Sequence, residues 1–185
     1  MGDGIIDCCS LINLYTGWRG LNELQSLGNC WYVADAILAE AQYTREFDSN
    51  GQIATVALSL DELVRSGNLQ RARPETPDEI DWYVRLAREL DDGEAQALAI
   101  AKMRGFMLLT DDAKAARIAR TSELSVETTS TAAVLQDWLA TDPSHLVLIR
   151  EVVTRITTLA RFKPSKGDSG LEWWLSILEG EKRHK

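Results

Sequence analysis

Histidine is nearly missing from this chain. Two among 185 residues, His145 and His184, exclude a zinc site built mainly on imidazole. His145 follows Pro143-Ser144 at an expected helix start, where an exposed first-turn position is predicted. His184 lies in the charged tail Glu181-Lys182-Arg183-His184-Lys185, which is expected to fray. The three cysteines, Cys8, Cys9 and Cys30, form no CxxC pair and leave one over, which argues against a disulfide framework and for a reducing compartment. No uncharged apolar run approaches the roughly 18 residues of a membrane span. No Lys or Arg precedes the first apolar stretch, so a signal peptide is not expected and a cytoplasmic location is. Positive charge is in the minority, 20 Lys and Arg against 28 Asp and Glu, for a net charge of −8. That excludes a generally basic nucleic-acid coat but leaves room for a local basic path. Walker A, GxGxxG and HExxH patterns are also missing, which disfavours an NTPase, a dinucleotide enzyme and a zinc protease.

What is present is alternation. With 45% hydrophobic residues, the chain 1–185 is expected to form a single domain. Residues 4–9 read as a short buried strand, 11–15 and 21–27 as helical pieces broken at Gly17 and Gly20, and 30–33 as a second strand. Ala34, Ile37, Leu38 and Ala41 recur at helical spacing on a helix that carries Glu40. Residues 53–60 are ambiguous, 58–64 look helical, and 69–73 suggest a strand. Thr76-Pro77-Asp78-Glu79 is a capping box with proline at the first helical position. A helix over 94–102 precedes the clearest buried strand, 106–110, which runs into Asp111-Asp112. A helix over 113–120, a strand over 125–128 and closing helices near 135–139, 146–159 and 171–178 complete the order. Strand and helix in alternation predict an α/β fold, a mostly parallel sheet covered on both faces.

Ligands gather at the carboxyl ends of the strands in such a sheet. Asp7 ends the first strand, and Asp111 and Asp112 end the strand at 106–110. Glu94 opens the preceding helix and Glu40 rides the helix after the second strand. Acids from several elements suit a hard cation such as magnesium or manganese, which prefers carboxylate oxygen. The alternative role for the same acids is helix capping or simple solvation.

Four segments then resemble one family. Ile5-Ile6-Asp7-Cys8-Cys9-Ser10-Leu11-Ile12 resembles the opening of PIN domains, a strand followed by Asp-x-(Ser/Asn)-x-Leu-Ile. Val33 through Glu40 resembles their second acidic position. Gly93-Glu94-Ala95-Gln96-Ala97-Leu98-Ala99-Ile100-Ala101 and Leu108-Leu109-Thr110-Asp111-Asp112-Ala113-Lys114-Ala115-Ala116-Arg117 are similar to the Gly-Glu-Ala and Thr-Asp-Asp segments of a VapC-like branch. The match runs from about residue 4 to 130, with closing helices over about 131–180. The resemblance implies a Rossmann-like three-layer sandwich and a Mg2+- or Mn2+-dependent endoribonuclease, as in toxins of toxin–antitoxin pairs. It implies Asp7, Glu40, Glu94 and one or both of Asp111 and Asp112 as metal ligands, with Asp7, Glu40, Glu94 and Asp112 catalytic. Thr110 stands beside them, its hydroxyl placed either to hold a metal-bound water or only to end the strand. Cys9 departs from the family pattern where Ser or Asn is common, and a thiol is the poorer partner for a carboxylate, so Ser10 is the candidate substitute. The partners implied are RNA and a cognate antitoxin, with a homodimer as a further possibility.

Lys114, Arg117 and Arg120 fall three apart and share one helix face, a candidate RNA path for Lys114 and Arg117; residues 150–166 add further cations. Trp173-Trp174 is expected to pack on the core, with a docking surface as the other option. Gly167-Asp168-Ser169-Gly170 reads as a loop with a helix cap. Two rivals stand beside the ribonuclease: a non-catalytic PIN-like module that binds RNA or metal, and a receiver-like domain, which lacks its expected lysine here.

Overall fold

The structure is a computed structural model that describes residues 2–180. Its centre is β1 (Gly4–Ile6), three residues buried on both faces. Parallel partners flank it, β2 (Trp31–Ala34) on one side and β6 (Met107–Leu109) on the other. Beyond them lie β5 (Gln70–Ala72) and β7 (Thr128–Thr129), giving the all-parallel order β5-β2-β1-β6-β7. The chain builds outward from β1 through β2 to β5, then crosses back to lay β6 on the other side of β1. The reversal between β1 and β6 is the switch point at which open parallel sheets bind ligands. The expected α/β architecture is therefore present, a parallel sheet flanked by helices.

The first strand is shorter than expected. It stops at Ile6 because Asp7 caps a helix, so Cys8 and Cys9 begin α1 (Cys8–Trp18) rather than end β1. The same helix runs through Gly17, where a break was predicted, and the chain turns only at Arg19, whose φ is 60°. Gly17 faces a neighbouring helix: a Cβ there would lie 2.8 Å from Ile156 Cδ1 and 2.9 Å from Val152 Cγ1. The missing side chain lets α9 (His145–Arg155) and its π-helical continuation (Ile156–Ala160) approach α1 closely. Short helices α2 (Asn22–Ser26), α3 (Asp35–Glu40) and α4 (Leu60–Arg65) link the early strands.

A hairpin of β3 (Tyr43–Phe47) and β4 (Ile53–Ala57) forms a separate antiparallel sheet. The Arg155 guanidinium anchors it. That side chain is 3% exposed and donates to both Glu46 carboxylate oxygens, at 2.8 and 2.5 Å, and to the Thr16 carbonyl at 3.0 Å.

The capping box forms as predicted at α5 (Pro77–Leu86). Glu79 also accepts from Arg104 Nε at 2.7 Å, and that guanidinium, aided by the Glu75 and Thr76 amides, overrides burial and holds the Glu79 acid down to about 2. α6 (Asp92–Arg104) buries most of its length and packs on β1, β2 and β6. α7 (Ala113–Ala119), α8 (Thr131–Thr141), α9 and α10 (Leu171–Glu179) complete the chain. Trp174 is fully buried, edge-on to Phe162, with its indole N–H donating to Thr157 Oγ1 at 3.1 Å; the core role expected of it holds. His145 is not an exposed first-turn residue. It stacks on Trp138 at 4.0 Å and its Nδ1 sits 2.8 Å from the Trp138 carbonyl. His184 lies outside the described residues. Among the described residues no helix is long and apolar enough to cross a membrane.

Candidate active site

Asp7 leaves β1 in extended conformation, at φ −79° and ψ 170°, which turns the chain into α1. Its N–H donates to the Leu109 carbonyl at 3.0 Å, fixing the residue against β6. One carboxylate oxygen accepts the Ser10 amide at 2.7 Å as a helix cap. Only 2% of the residue is exposed, and burial pushes its acid up to about 6 against the pull of Thr110 and Ser10; Asp111 adds repulsion.

Thr110 follows β6 and donates its N–H to the Thr129 carbonyl at 3.0 Å, while its hydroxyl accepts the Asp112 amide at 3.1 Å. Asp112 caps α7 through one oxygen, accepting from the Ala115 amide at 2.7 Å. Capping and metal binding, the two readings of these acids, are compatible at both Asp7 and Asp112, since a cap occupies one oxygen of two. Asp111 is different. Its carboxylate accepts from Ser10 Oγ at 3.1 Å, Asn13 Nδ2 at 2.9 Å, Thr131 N at 2.9 Å and Thr131 Oγ1 at 2.5 Å. These donors join β6 to α1 and to the start of α8, which makes Asp111 a hub of the framework.

Glu94 enters from the first turn of α6, behind the cap Asp91, whose carboxylate accepts the Glu94 amide at 2.8 Å. Its acid is pushed up to about 7, first by burial, then by repulsion from Asp91, Asp112 and Asp7. Three predicted acids, Asp7, Glu94 and Asp112, thus share one electrostatic neighbourhood. Glu40 lies to one side. A Cβ on Gly93 would fall 2.9 Å from Glu40 Oε2, so the glycine makes room for that carboxylate beside the start of α6. Partial burial, Asp91 and Asp92 raise the Glu40 acid, with only a small opposing pull from the Gly93 amide.

Among the described residues no three Asp, Glu, His or Cys side chains form a ready-made metal cage. Neither does any ion pair there involve Asp7, Glu40, Asp91, Glu94, Asp111 or Asp112. A set of oxygen donors that repel one another and lack a cationic partner fits a hard divalent cation.

Ser10 lies on a helix rather than a strand; its amide donates to Asp7 and its hydroxyl donates to Asp111. Cys9 also faces the acids, its thiol raised to about 11 by partial burial and by Asp7, Glu94, Asp111 and Asp91. Of the basic residues, Arg117 and Arg120 border a cleft that opens on Thr110 and Asp112. Lys114 does not line it; its ammonium donates to the Glu89 carbonyl. Lys102 and Arg104 are held by the Leu124 carbonyl and by Glu79. Sequence reasoning missed Asn13, Asp91 and Thr131. Of these only Asp91 carried a signal, an aspartate three residues before Glu94 at a helix start.

The open parallel sheet, with Asp7 and Asp112 following adjacent strands at its switch point, defines an α/β domain with acids at the carboxyl ends of its central strands. A family model described as a PIN domain matches residues 4–158, and the chain belongs to the PIN domain family. The match extends past the segment legible from motifs, through α9 and into its π-helical continuation. PIN domains are in general nucleases that use divalent metal ions. Comparison with curated proteins gives no match.

Proposed function

We propose that the protein is a Mg2+- or Mn2+-dependent endoribonuclease whose ion is held by Asp7, Glu94 and Asp112, with Glu40 at the edge of the set. The observation that supports this most is that Asp7 and Asp112 follow the adjacent strands β1 and β6 at the switch point, with Glu94 close enough for its acid to be raised by both and, among the described residues, no ion pair to any of the three. A divalent ion bound there supplies a Lewis acid that acidifies water and offsets charge on a phosphodiester. The protein's own part is positional. The caps at Ser10 and Ala115 fix one oxygen of each aspartate and leave the other for the ligand. Asp111 locks the ends of α1 and α8 around them. Thr110 presents its hydroxyl to Asp7 and steadies the turn into Asp112.

Incubation of the purified chain with structured RNAs tests this. Cleavage is expected with manganese, and a loss of about 100-fold or more with chelator or in Asp7→Asn. Cleavage unaffected by Asp7→Asn would exclude the assignment. The VapC-like segments at residues 93–101 and 108–117 extend the proposal to a toxin neutralised by a cognate antitoxin. Expression in a bacterial host should then arrest growth for the wild type and not for Asp7→Asn; growth unaffected by the active enzyme removes the toxin role alone.

A further inference from the structure

Beside the acids lies a cleft of about 530 Å³, within the range of small-ligand sites. It runs from Thr110 and Asp112 past the outer face of α7 to the loop 165–169. α7 contributes Arg117 and the residue that ends it, Arg120, both exposed. Among the described residues neither makes an ion pair. Arg120 is oriented by its Nε, which donates to Thr128 Oγ1 at 2.9 Å and leaves the terminal amino groups of the fork available.

The loop wall is built rather than loose. The Asp168 amide donates to the Ser165 carbonyl at 3.0 Å, and the Asp168 carboxylate accepts the Gly170 amide at 2.7 Å. At Gly170 a Cβ would come within 2.5 Å of Ala132 Cβ, so the glycine lets the loop seat directly on the first turn of α8. This wall lies outside residues 4–158, so the C-terminal segment adds to the cleft something the family match does not cover.

The chemistry of the lining narrows the ligand. Two guanidiniums recognise a phosphate. Asp168 cannot do so, but it can accept a hydrogen bond from a hydroxyl, and among the described residues one of its oxygens has no donor. Among the described residues no aromatic ring lines the cleft, so stacking on a base is not provided there. We propose that this cleft seats the sugar–phosphate of the nucleotide flanking the scissile bond, its phosphate on Arg117 and Arg120 and its ribose 2′-hydroxyl on Asp168. The proposal rests on the ribonuclease reading and sharpens it: the strand is gripped through its backbone, RNA is favoured over DNA, and base preference at this position is weak.

Binding without turnover tests it. Fluorescence anisotropy of the full chain in chelator, with a labelled 12-nucleotide RNA and the matching DNA, is expected to favour RNA. Arg117→Ala/Arg120→Ala should weaken both ligands about tenfold or more, and Asp168→Ala should weaken RNA alone, with melting curves reporting the fold. Should Asp168→Ala unfold the loop, single 2′-deoxy substitutions scanned along the RNA on the wild type replace it, one position costing the preference. Equal binding by the wild type and the double arginine variant overturns the cleft, as does binding of hexaglutamate as tight as RNA. Equal wild-type affinity for RNA and DNA overturns the Asp168 contact. Arginine-dependent RNA binding by a chain that never cleaves with manganese upholds the cleft and removes only the nuclease reading.

Discussion

Asp7 has two tasks and one carboxylate. One oxygen caps α1; the whole group is buried beside like charges. Keeping it ionised costs on the order of 3 kcal/mol relative to an exposed aspartate, given an acid raised from 3.8 to about 6. Glu94 is raised from 4.5 to about 7. Folding therefore takes up protons at these two residues between about pH 4 and 7. The penalty they impose on folding is absent below that window, where both acids are protonated folded or unfolded, and present in full above it. Glu79, held down to about 2, acts in the opposite sense at much lower pH and does not interfere. Without divalent ion, the melting temperature is expected to fall from pH 5 to pH 8. Asp7→Asn, which retains an oxygen for the Ser10 amide, should flatten that fall and melt about 5 °C higher at pH 8. Scanning calorimetry across the range checks it; a variant less stable than wild type at pH 8 would contradict the cost assigned to Asp7. At this scale the sequence placed Asp7 and Asp112 after strands β1 and β6, and both cap the helix that follows, the alternative role read for them. It said nothing of the work done by Asp111, whose donors Ser10, Asn13 and Thr131 come from distant elements.

Elements were legible where local chemistry decides them. The capping box at Thr76 and the apolar run before Asp111 both form as read. The hairpin was not legible as a hairpin, since β3 (Tyr-Thr-Arg-Glu-Phe) shows mainly polar residues. Its turn did carry a signal: Asn50-Gly51, with Asp48 accepting the Asn50 and Gln52 amides at 2.8 Å each and Gly51 at φ 74°. The helix break assigned to Gly17 failed for a tertiary reason, because the glycine serves the approach of α9. What ties the hairpin to that helix pair is Arg155. Replacing it with Met leaves Glu46 without its partner and the Thr16 carbonyl without its donor, at an expected cost of about 3 kcal/mol. Arg155→Met/Glu46→Leu should recover much of it. Urea denaturation of the wild type and the two variants measures both steps, and an Arg155→Met protein as stable as wild type would show the hairpin to be held by other contacts.

For the whole molecule, alternation of strand and helix was sufficient for the α/β class and for the rule that chemistry sits at strand ends. Strand order was not available from pattern, because β2 and β6 read as equally apolar neighbours for β1 and only their crossovers distinguish the sides. Nor was the return of the C-terminal segment to the site, since Ser165–Ser169 reaches the cleft by packing at Gly170 and Ala132 rather than by any motif. Under the proposed function, a chain of net charge −8 must offset its own repulsion toward RNA locally. On that proposal Arg117 and Arg120 would supply part of the offset, and a divalent ion among Asp7, Glu94 and Asp112 the rest.

Calorimetric titration of the metal-free protein with manganese at pH 6.5, repeated in two buffers of different ionisation heat, tests that ion directly. Saturable binding with net release of protons is expected for the wild type, because Asp7 and Glu94 are then partly protonated, and weak or no binding for Asp7→Asn. The absence of heat in both buffers, or binding that Asp7→Asn leaves unchanged, would contradict it.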